Sequence, residues 1–129
     1  MCCTLIDAKS ANVDIDAAKE RGIQVLGVRD YGDEGVIEFI ISELVRLLKG
    51  LGEHQWQPVD LELTGQTLGI IGMGTLGKML AEQAQSFGMN VFYYSRTRKP
   101  DIEASGVTYL ELDALLQKVD IISTPRRSR

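Results

Sequence analysis

The chain has no third cysteine, no second histidine and no apolar run that approaches the roughly 20 residues of a membrane span. Its two cysteines, Cys2 and Cys3, are adjacent. Neighbours in sequence rarely bridge one another, so there is neither a disulfide framework nor a cysteine-based metal cluster. A reducing, cytoplasmic compartment is the expectation, with both thiols filling an apolar strand. The start of the chain lacks the basic stretch and long apolar core of a secretory signal. Positive charge is also short: 14 Lys and Arg stand against 18 Asp and Glu, a formal net charge of −4. That balance gives a nucleic-acid role no electrostatic support. Internal repeats and low-complexity tracts are absent too. What is present is 129 residues of ordinary globular composition, enough for one domain with a real core.

Apolar periodicity alternates between strand and helix. "CCTLI" is a candidate strand, and "NVDIDAAKERGIQVLGV" reads as a strand end, a short helix and a second strand. Asp14 or Asp16 caps that helix and Gly22 ends it. After the turn-rich "RDYGDEG", apolar residues recur at helical spacing over 36–51, and Gly50 and Gly52 stop the run. This face is wider than a surface helix needs, so the helix is expected to pack on two sides or against another chain. A polar connection follows. Then come "TLGIIG" as a strand, 75–87 as a helix, "NVFYYS" as a strand, a loop with a short helix, "VTYL", "ELDALLQK" as a helix and "VDIIST" as a last strand. Such alternation is the signature of βαβ units and a parallel sheet. The expected class is α/β, a partial Rossmann fold. The doubly wound sheet, over about 66–124, should have the strand order 3-2-1-4.

The glycines of "LGIIGMGTLGKML" sit at one junction of that pattern. A buried parallel strand is apolar on both faces, as "LGII" is. Gly72-x-Gly74-x-x-Gly77 then separates this strand from the next helix. Gly72 permits the tight turn. Gly74, lacking a side chain, lets a pyrophosphate approach the backbone, and Gly77 lets the helix lie close to the strand. The free N–H groups and positive dipole end of the helix favour phosphate. The strand–turn–helix context is what raises this glycine triplet above a chance match. A mononucleotide P-loop is excluded by the spacing and by Met79, which follows Lys78 where a Ser or Thr would be required.

At the end of the following strand, an NAD-selective site wants a carboxylate for the ribose 2′-hydroxyl. Here "YYSRTRKP" puts Ser95 in that place, followed by Arg96, Thr97, Arg98 and Lys99. Hydroxyls and an arginine suit a 2′-phosphate, which a carboxylate would repel. The functional reading is NADP preferred over NAD. The competing reading is a solvated basic loop without a role in selectivity.

Together, "NVDIDAAKERGI", "EGVIEFIISELVRLL", "ELTGQTLGIIGMGTLGKMLAEQAQSFGMNVFYYSRTRKP" and "LDALLQKVDIIST" resemble the D-isomer-specific 2-hydroxyacid dehydrogenases, most closely the glyoxylate/hydroxypyruvate reductase branch. The resemblance covers nearly the whole chain. It implies that Thr75 and Leu76 join Gly72, Gly74 and Gly77 at the pyrophosphate, and that Ser95, Arg96 and Thr97 take the adenosine ribose end. It further implies hydride transfer between a nicotinamide cofactor and a small 2-keto or 2-hydroxy acid, and a homo-oligomer formed near the 36–51 helix.

By the same resemblance, residues 1–30 are a remnant of a substrate-binding domain and 31–129 a C-terminally incomplete cofactor domain. The family's catalytic arginine, carboxylate and histidine lie beyond the fourth cofactor-domain strand, so no catalytic residue is assigned in this chain. Arg126, Arg127 and Arg129 do not stand in the catalytic arginine's motif, and the ending "DIISTPRRSR" departs from the family pattern. A truncated or altered reading of a longer protein is the expectation. His54 lies in the polar connection "LGEHQWQP" rather than in the family's histidine motif, and Trp56 beside it is expected to pack on its own lobe or a partner. Neither a metal site nor a membrane or nucleic-acid partner is expected. The alternative function class is a non-catalytic nucleotide-binding or regulatory module built on the same fold.

Overall fold

The structure, a computed structural model, describes residues 2–4, 14–28 and 33–125. The "RDYG" segment and the arginine-rich tail, residues 126–129, lie outside them, as do the side chains of Cys2 and Cys3. The chain divides into two compact units that meet in sequence at Asp33 and Glu34.

In the first unit, β1 (Cys2–Thr4) and β2 (Leu26–Val28) pair in parallel, Cys2 opposite Leu26. Between them in sequence lies α1 (Ile15–Glu20). Asp14 is its cap: the Ala17 N–H donates to Asp14 Oδ1 at 2.9 Å. Asp16 instead sits in the first turn, where its charge faces the positive end of the helix dipole.

The long helix α2 (Asp33–Lys49) starts three residues before the periodicity predicts. Asp33 and Glu34 suit the positive end of a helix, so the first turn forms there, ahead of the apolar repeat. One face buries Ile37, Leu44 and Leu48. Ile37 and Leu44 join the core of the sheet that follows. The expected second face is also there: Val36, Phe39 and Leu47 are exposed, Phe39 by 66%.

That sheet is built from β3 (Thr67–Ile71), α3 (Thr75–Ser86), β4 (Asn90–Tyr94), α4 (Pro100–Ala104), β5 (Thr108–Tyr109), α5 (Leu112–Lys118) and β6 (Ile121–Ser123). All four strands are parallel, in the spatial order β5-β4-β3-β6. This is the expected 3-2-1-4. Strand β3 is central, with Leu68 opposite Val91 on one side and Ile121 on the other.

Both faces of β3 are covered. Leu68 and Ile70 are fully buried and cluster with Leu76, Leu80 and Ala84 of α3. On the opposite face Gly69 leaves room for α5: a Cβ there would come within 2.9 Å of Val119 and 3.3 Å of Leu115. Strand periodicity therefore sends alternate residues to different helices, which is what doubly wound means at the level of one strand. Gly88, at φ +77°, turns the chain out of α3 and into β4, and the Met89 N–H donates back to the Ala84 carbonyl at 3.1 Å. At the far end of the central strand, Thr67 Oγ1 donates to Asp120 Oδ2 at 2.8 Å and accepts the Asp120 N–H at 2.9 Å. That reciprocal pair ties the start of β3 to the residue before β6.

Candidate functional site

The residues singled out in the sequence gather at the carboxyl edge of β3 and β4. Ile71 and Tyr94 are the last register pair, and the Gly72 N–H donates to the Tyr94 carbonyl at 2.8 Å. The 72–77 turn thus lies directly beside the start of the 95–99 loop.

Each glycine of the turn has its own reason. Gly72 takes φ +103°, a conformation that side-chain-bearing residues rarely adopt. A Cβ on Gly77 would stand 2.2 Å from the Gly72 carbonyl oxygen and 3.5 Å from Ile70. Close packing of helix, turn and strand forbids any side chain there. Gly74 is different. Its φ of −86° is accessible to any residue, and a Cβ there would meet nothing within 4 Å. No packing contact within the protein demands a glycine at this position.

Gly74 is also the N-cap of α3, which has neither a side-chain cap nor an acidic residue in its first turn. The first N–H groups of a helix have no partner within it. Here they are left to face the space above Gly74. Thr75, the first residue of α3, is exposed. Leu76 is buried in the core, which leaves only its backbone amide available to a ligand. Met73, between the first two glycines, is likewise a core residue. Lys78, one turn into α3, is not free for a ligand: Nζ donates to Asp101 Oδ2 at 2.6 Å and holds the Asp101 carboxyl below its ordinary value.

The 95–99 loop is organised by a network that sequence spacing did not disclose. Tyr93, fully buried, donates its hydroxyl proton to Glu103 Oε1 at 2.7 Å and accepts the Lys99 N–H at 2.7 Å. Arg98 grips the same carboxylate with two prongs, Nε to Oε1 at 3.0 Å and Nη2 to Oε2 at 2.6 Å. Its guanidinium also lies over the Tyr109 ring, 4.8 Å from the centroid. Arg98 first and then the Tyr93 hydroxyl hold the Glu103 carboxyl below its ordinary value. Burial pushes the Tyr93 phenol up.

Ser95 donates its hydroxyl proton to the Thr97 carbonyl at 2.5 Å, so in this rotamer its oxygen serves as an acceptor. Thr97 and Arg96 are exposed, and Arg96 has neither a hydrogen bond nor an ion pair among the described residues. Of the loop's two arginines, one is engaged and one is open to solvent. The signal that could have separated them is an acidic residue on the first turn of the next helix, within reach of Arg98. His54 is exposed on the connection before β3, far in sequence from this edge. Among the described residues no group of three or more His, Cys, Asp or Glu could hold a metal ion, and no helix is long and apolar enough to cross a membrane.

Comparison with known proteins shows the family. Residues 39–125 match the NAD binding domain of the D-isomer specific 2-hydroxyacid dehydrogenases. A hydroxypyruvate reductase from Blautia hydrogenotrophica is 33% identical over 127 residues, covering 86% of this chain and 39% of that protein. A glyoxylate reductase from Thermococcus litoralis is 33% identical over 130 residues, covering 87% and 39%. The D-lactate dehydrogenase of Aquifex aeolicus, solved in complex with NAD and lactic acid, superposes with a TM-score of 0.68 at 32% identity, over 87% of this chain and 37% of that one. The chain spans about two-fifths of the length of the curated relatives it matches.

Proposed function

The chain belongs to the D-isomer-specific 2-hydroxyacid dehydrogenases, and from that premise we propose that its 72–77 turn and 95–99 loop together bind a dinucleotide, with NADP preferred over NAD. One observation carries the reading: Gly74 leaves open space in front of an uncapped helix start, and nothing in the protein's own packing asks for it. A pyrophosphate fits there, accepting the N–H groups of Thr75, Leu76 and Gly77 while the helix dipole offsets part of its charge. The ribose end falls at Ser95, Arg96 and Thr97. Arg96 supplies an unengaged guanidinium for a 2′-phosphate, and no carboxylate stands at Ser95 to repel it. Ser95 serves such a phosphate as a donor only after turning its proton away from Thr97.

When bound, a nicotinamide cofactor supplies hydride transfer, and a small 2-keto or 2-hydroxy acid is the proposed substrate class of the whole protein. This chain's own part is to orient the cofactor. Residues 1–30 are read as a remnant of the substrate-binding domain and 31–129 as the cofactor domain, in a cytoplasmic protein. No residue of the chain is assigned the proton transfer or the gripping of the substrate carboxylate. By itself the 129-residue chain should therefore not reduce glyoxylate or hydroxypyruvate with NADPH, because positioned acid–base catalysis alone is worth roughly 10²–10⁴-fold. Turnover of either substrate by the purified chain would overturn that division of labour.

The exposed side of α2, with Val36, Phe39 and Leu47, suits a second copy of the chain, and a homodimer or larger oligomer is expected by light scattering at micromolar concentration. A monodisperse monomer would rule it out. Cofactor choice is tested by calorimetric titration of the wild type, Arg96→Ala and Ser95→Asp with NADP⁺ and NAD⁺. One or two charge-assisted hydrogen bonds give the wild type a preference of about one to a few decades, which both variants should reduce. Equal or tighter binding of NAD⁺ by the wild type would sink the reading. A preference that survives Arg96→Ala would move the phosphate contact to another residue.

A further inference from the structure

The loop's cations are held in unlike ways, and the difference bears on how selectivity is built. Arg98 has both prongs on Glu103 and its face on Tyr109. A phosphate that recruited Arg98 would have to break that fork. Doing so would also strip Glu103 of its counter-charge, leaving a bare carboxylate on the first turn of α4, close to an incoming dianion. Arg98 is therefore poorly placed as a ligand and well placed as a neutraliser. Tyr93 works alongside it from the core. Its ring is locked among buried residues, and its hydroxyl holds the Lys99 amide and Glu103 together. Below the loop, Lys78 and Asp101 tie α3 to the same turn of α4.

Resting on the NADP reading above, we propose that Arg98, Glu103 and Tyr93 are positioning residues for cofactor discrimination. Arg98 cancels the Glu103 charge, Tyr93 fixes the loop backbone at Lys99, and Arg96 is thereby the cation presented to the 2′-phosphate. Arg98 does not touch the phosphate.

A double-mutant cycle on the whole chain tests this, read as the ratio of NAD⁺ to NADP⁺ dissociation constants by calorimetry. A role in stability alone would move both cofactors together and leave that ratio unchanged. Arg98→Ala in the wild-type background exposes the Glu103 charge and should lower the ratio roughly fivefold, a coupling within the range of residues that share one network. In the Glu103→Gln background the charge to be cancelled is gone, and Arg98→Ala should change the ratio by less than roughly twofold. An effect of Arg98→Ala that is equally large in both backgrounds would make Arg98 a direct phosphate ligand and overturn the proposal. So would an Arg98→Ala variant whose ratio matches the wild type.

Both side chains are partly exposed, so folding is not at stake in this cycle. Tyr93→Phe keeps the buried ring and removes only the hydroxyl. It should speed hydrogen exchange at the Lys99 amide and lower the ratio, with NAD⁺ affinity little changed. Unaltered exchange and an unaltered ratio would remove Tyr93 from the mechanism. If the wild type shows no preference for NADP⁺, the cofactor reading fails and takes this role with it. If the preference stands and the cycle is additive, only the present inference fails.

Discussion

The two ends of the candidate site are built by opposite means. The 72–77 turn works by missing side chains: one glycine allows a backbone angle, one allows a helix to touch a strand, and one leaves space. The 95–99 loop works by side chains present, with Tyr93, Arg98 and Glu103 bracing a short stretch of chain. Backbone geometry admits little adjustment, since a Cβ either fits or does not. A polar network whose ion pair is partly exposed can be altered one bond at a time, at a cost of about 1 kcal/mol or less for that pair. On the reading proposed above, the turn meets what all dinucleotides share and the loop meets the part in which they differ. A site divided in this way would let cofactor choice change without disturbing the fold.

That contrast is open to test, beginning with the largest effect. Gly77→Ala forces a Cβ to within 2.2 Å of the Gly72 carbonyl, a backbone atom that cannot swing aside. Stability to urea should fall by about 3 kcal/mol, at the upper end of overpacking costs. A variant as stable as the wild type would show the turn to be softer than its geometry implies.

Gly74→Ala separates the structural glycines from the ligand-directed one. With nothing within 4 Å of its Cβ, stability should change by less than about 1 kcal/mol, the scale of an N-cap exchange. Both dinucleotides should nonetheless bind roughly tenfold more weakly, about 1.4 kcal/mol, because the new methyl occupies the space in front of the helix start. If stability falls and binding does not, the glycine is structural and the contrast drawn here is mistaken.

The smallest effect belongs to the loop and to pH. Arg98 and Tyr93 lower the folded-state pKa of Glu103 from its ordinary value of 4.5. A lowered carboxyl pKa means the ionised form is favoured by folding. The stabilisation is fully present above the unfolded value and is lost as pH falls through the folded one. The Glu103 carboxyl carbon, followed by NMR, should titrate below the ordinary glutamate range and move upward in Arg98→Ala. An unshifted midpoint in the wild type would dissolve the network on which the loop's side of the comparison depends.

Much of this was legible in the sequence, and the parts that were not share a cause. Strand and helix alternate with clear periods, so the parallel sheet and its order could be read from "TLGIIG", "NVFYY", "VTYL" and "VDIIST". The glycine triplet marked the turn because backbone demands leave a local trace. The start of α2 at Asp33 was hidden by Gly35 and by turn-forming neighbours, which mask a first turn lying ahead of the apolar repeat. The choice between Asp14 and Asp16 as the cap was equally open, because both stand one residue from the helix start and only the geometry separates them. The bracing of the loop left no periodic pattern, only an acidic residue on the first turn of α4. Arg98 and Glu103 are five residues apart across the entry to α4, and Lys78 and Asp101 are joined over twenty-three residues. Contacts made by the fold, rather than by a period, have little signature in a single chain. For the same reason "SRTRK" could be read as one basic run, when one of its arginines is already engaged.

The reciprocal pair between Thr67 and Asp120 bears on the order in which the sheet assembles. Strand β3 meets β4 across a sequence separation of twenty-three residues, and β6 only across fifty-three. Closing the longer loop costs about 0.7 kcal/mol more in chain entropy. By chain entropy alone, pairing β3 with β4 is thus cheaper than pairing it with β6, and β4 meets β5 across a still shorter separation of sixteen residues, so β6 is expected to join last. Thr67 and Asp120 then act as a latch on an already formed β3–α3–β4 unit. Weakening it should hasten unfolding while leaving the rate of folding nearly as it was. On a ribosome delivering the chain from its N-terminus, the glycine turn would be complete before the last strand had emerged.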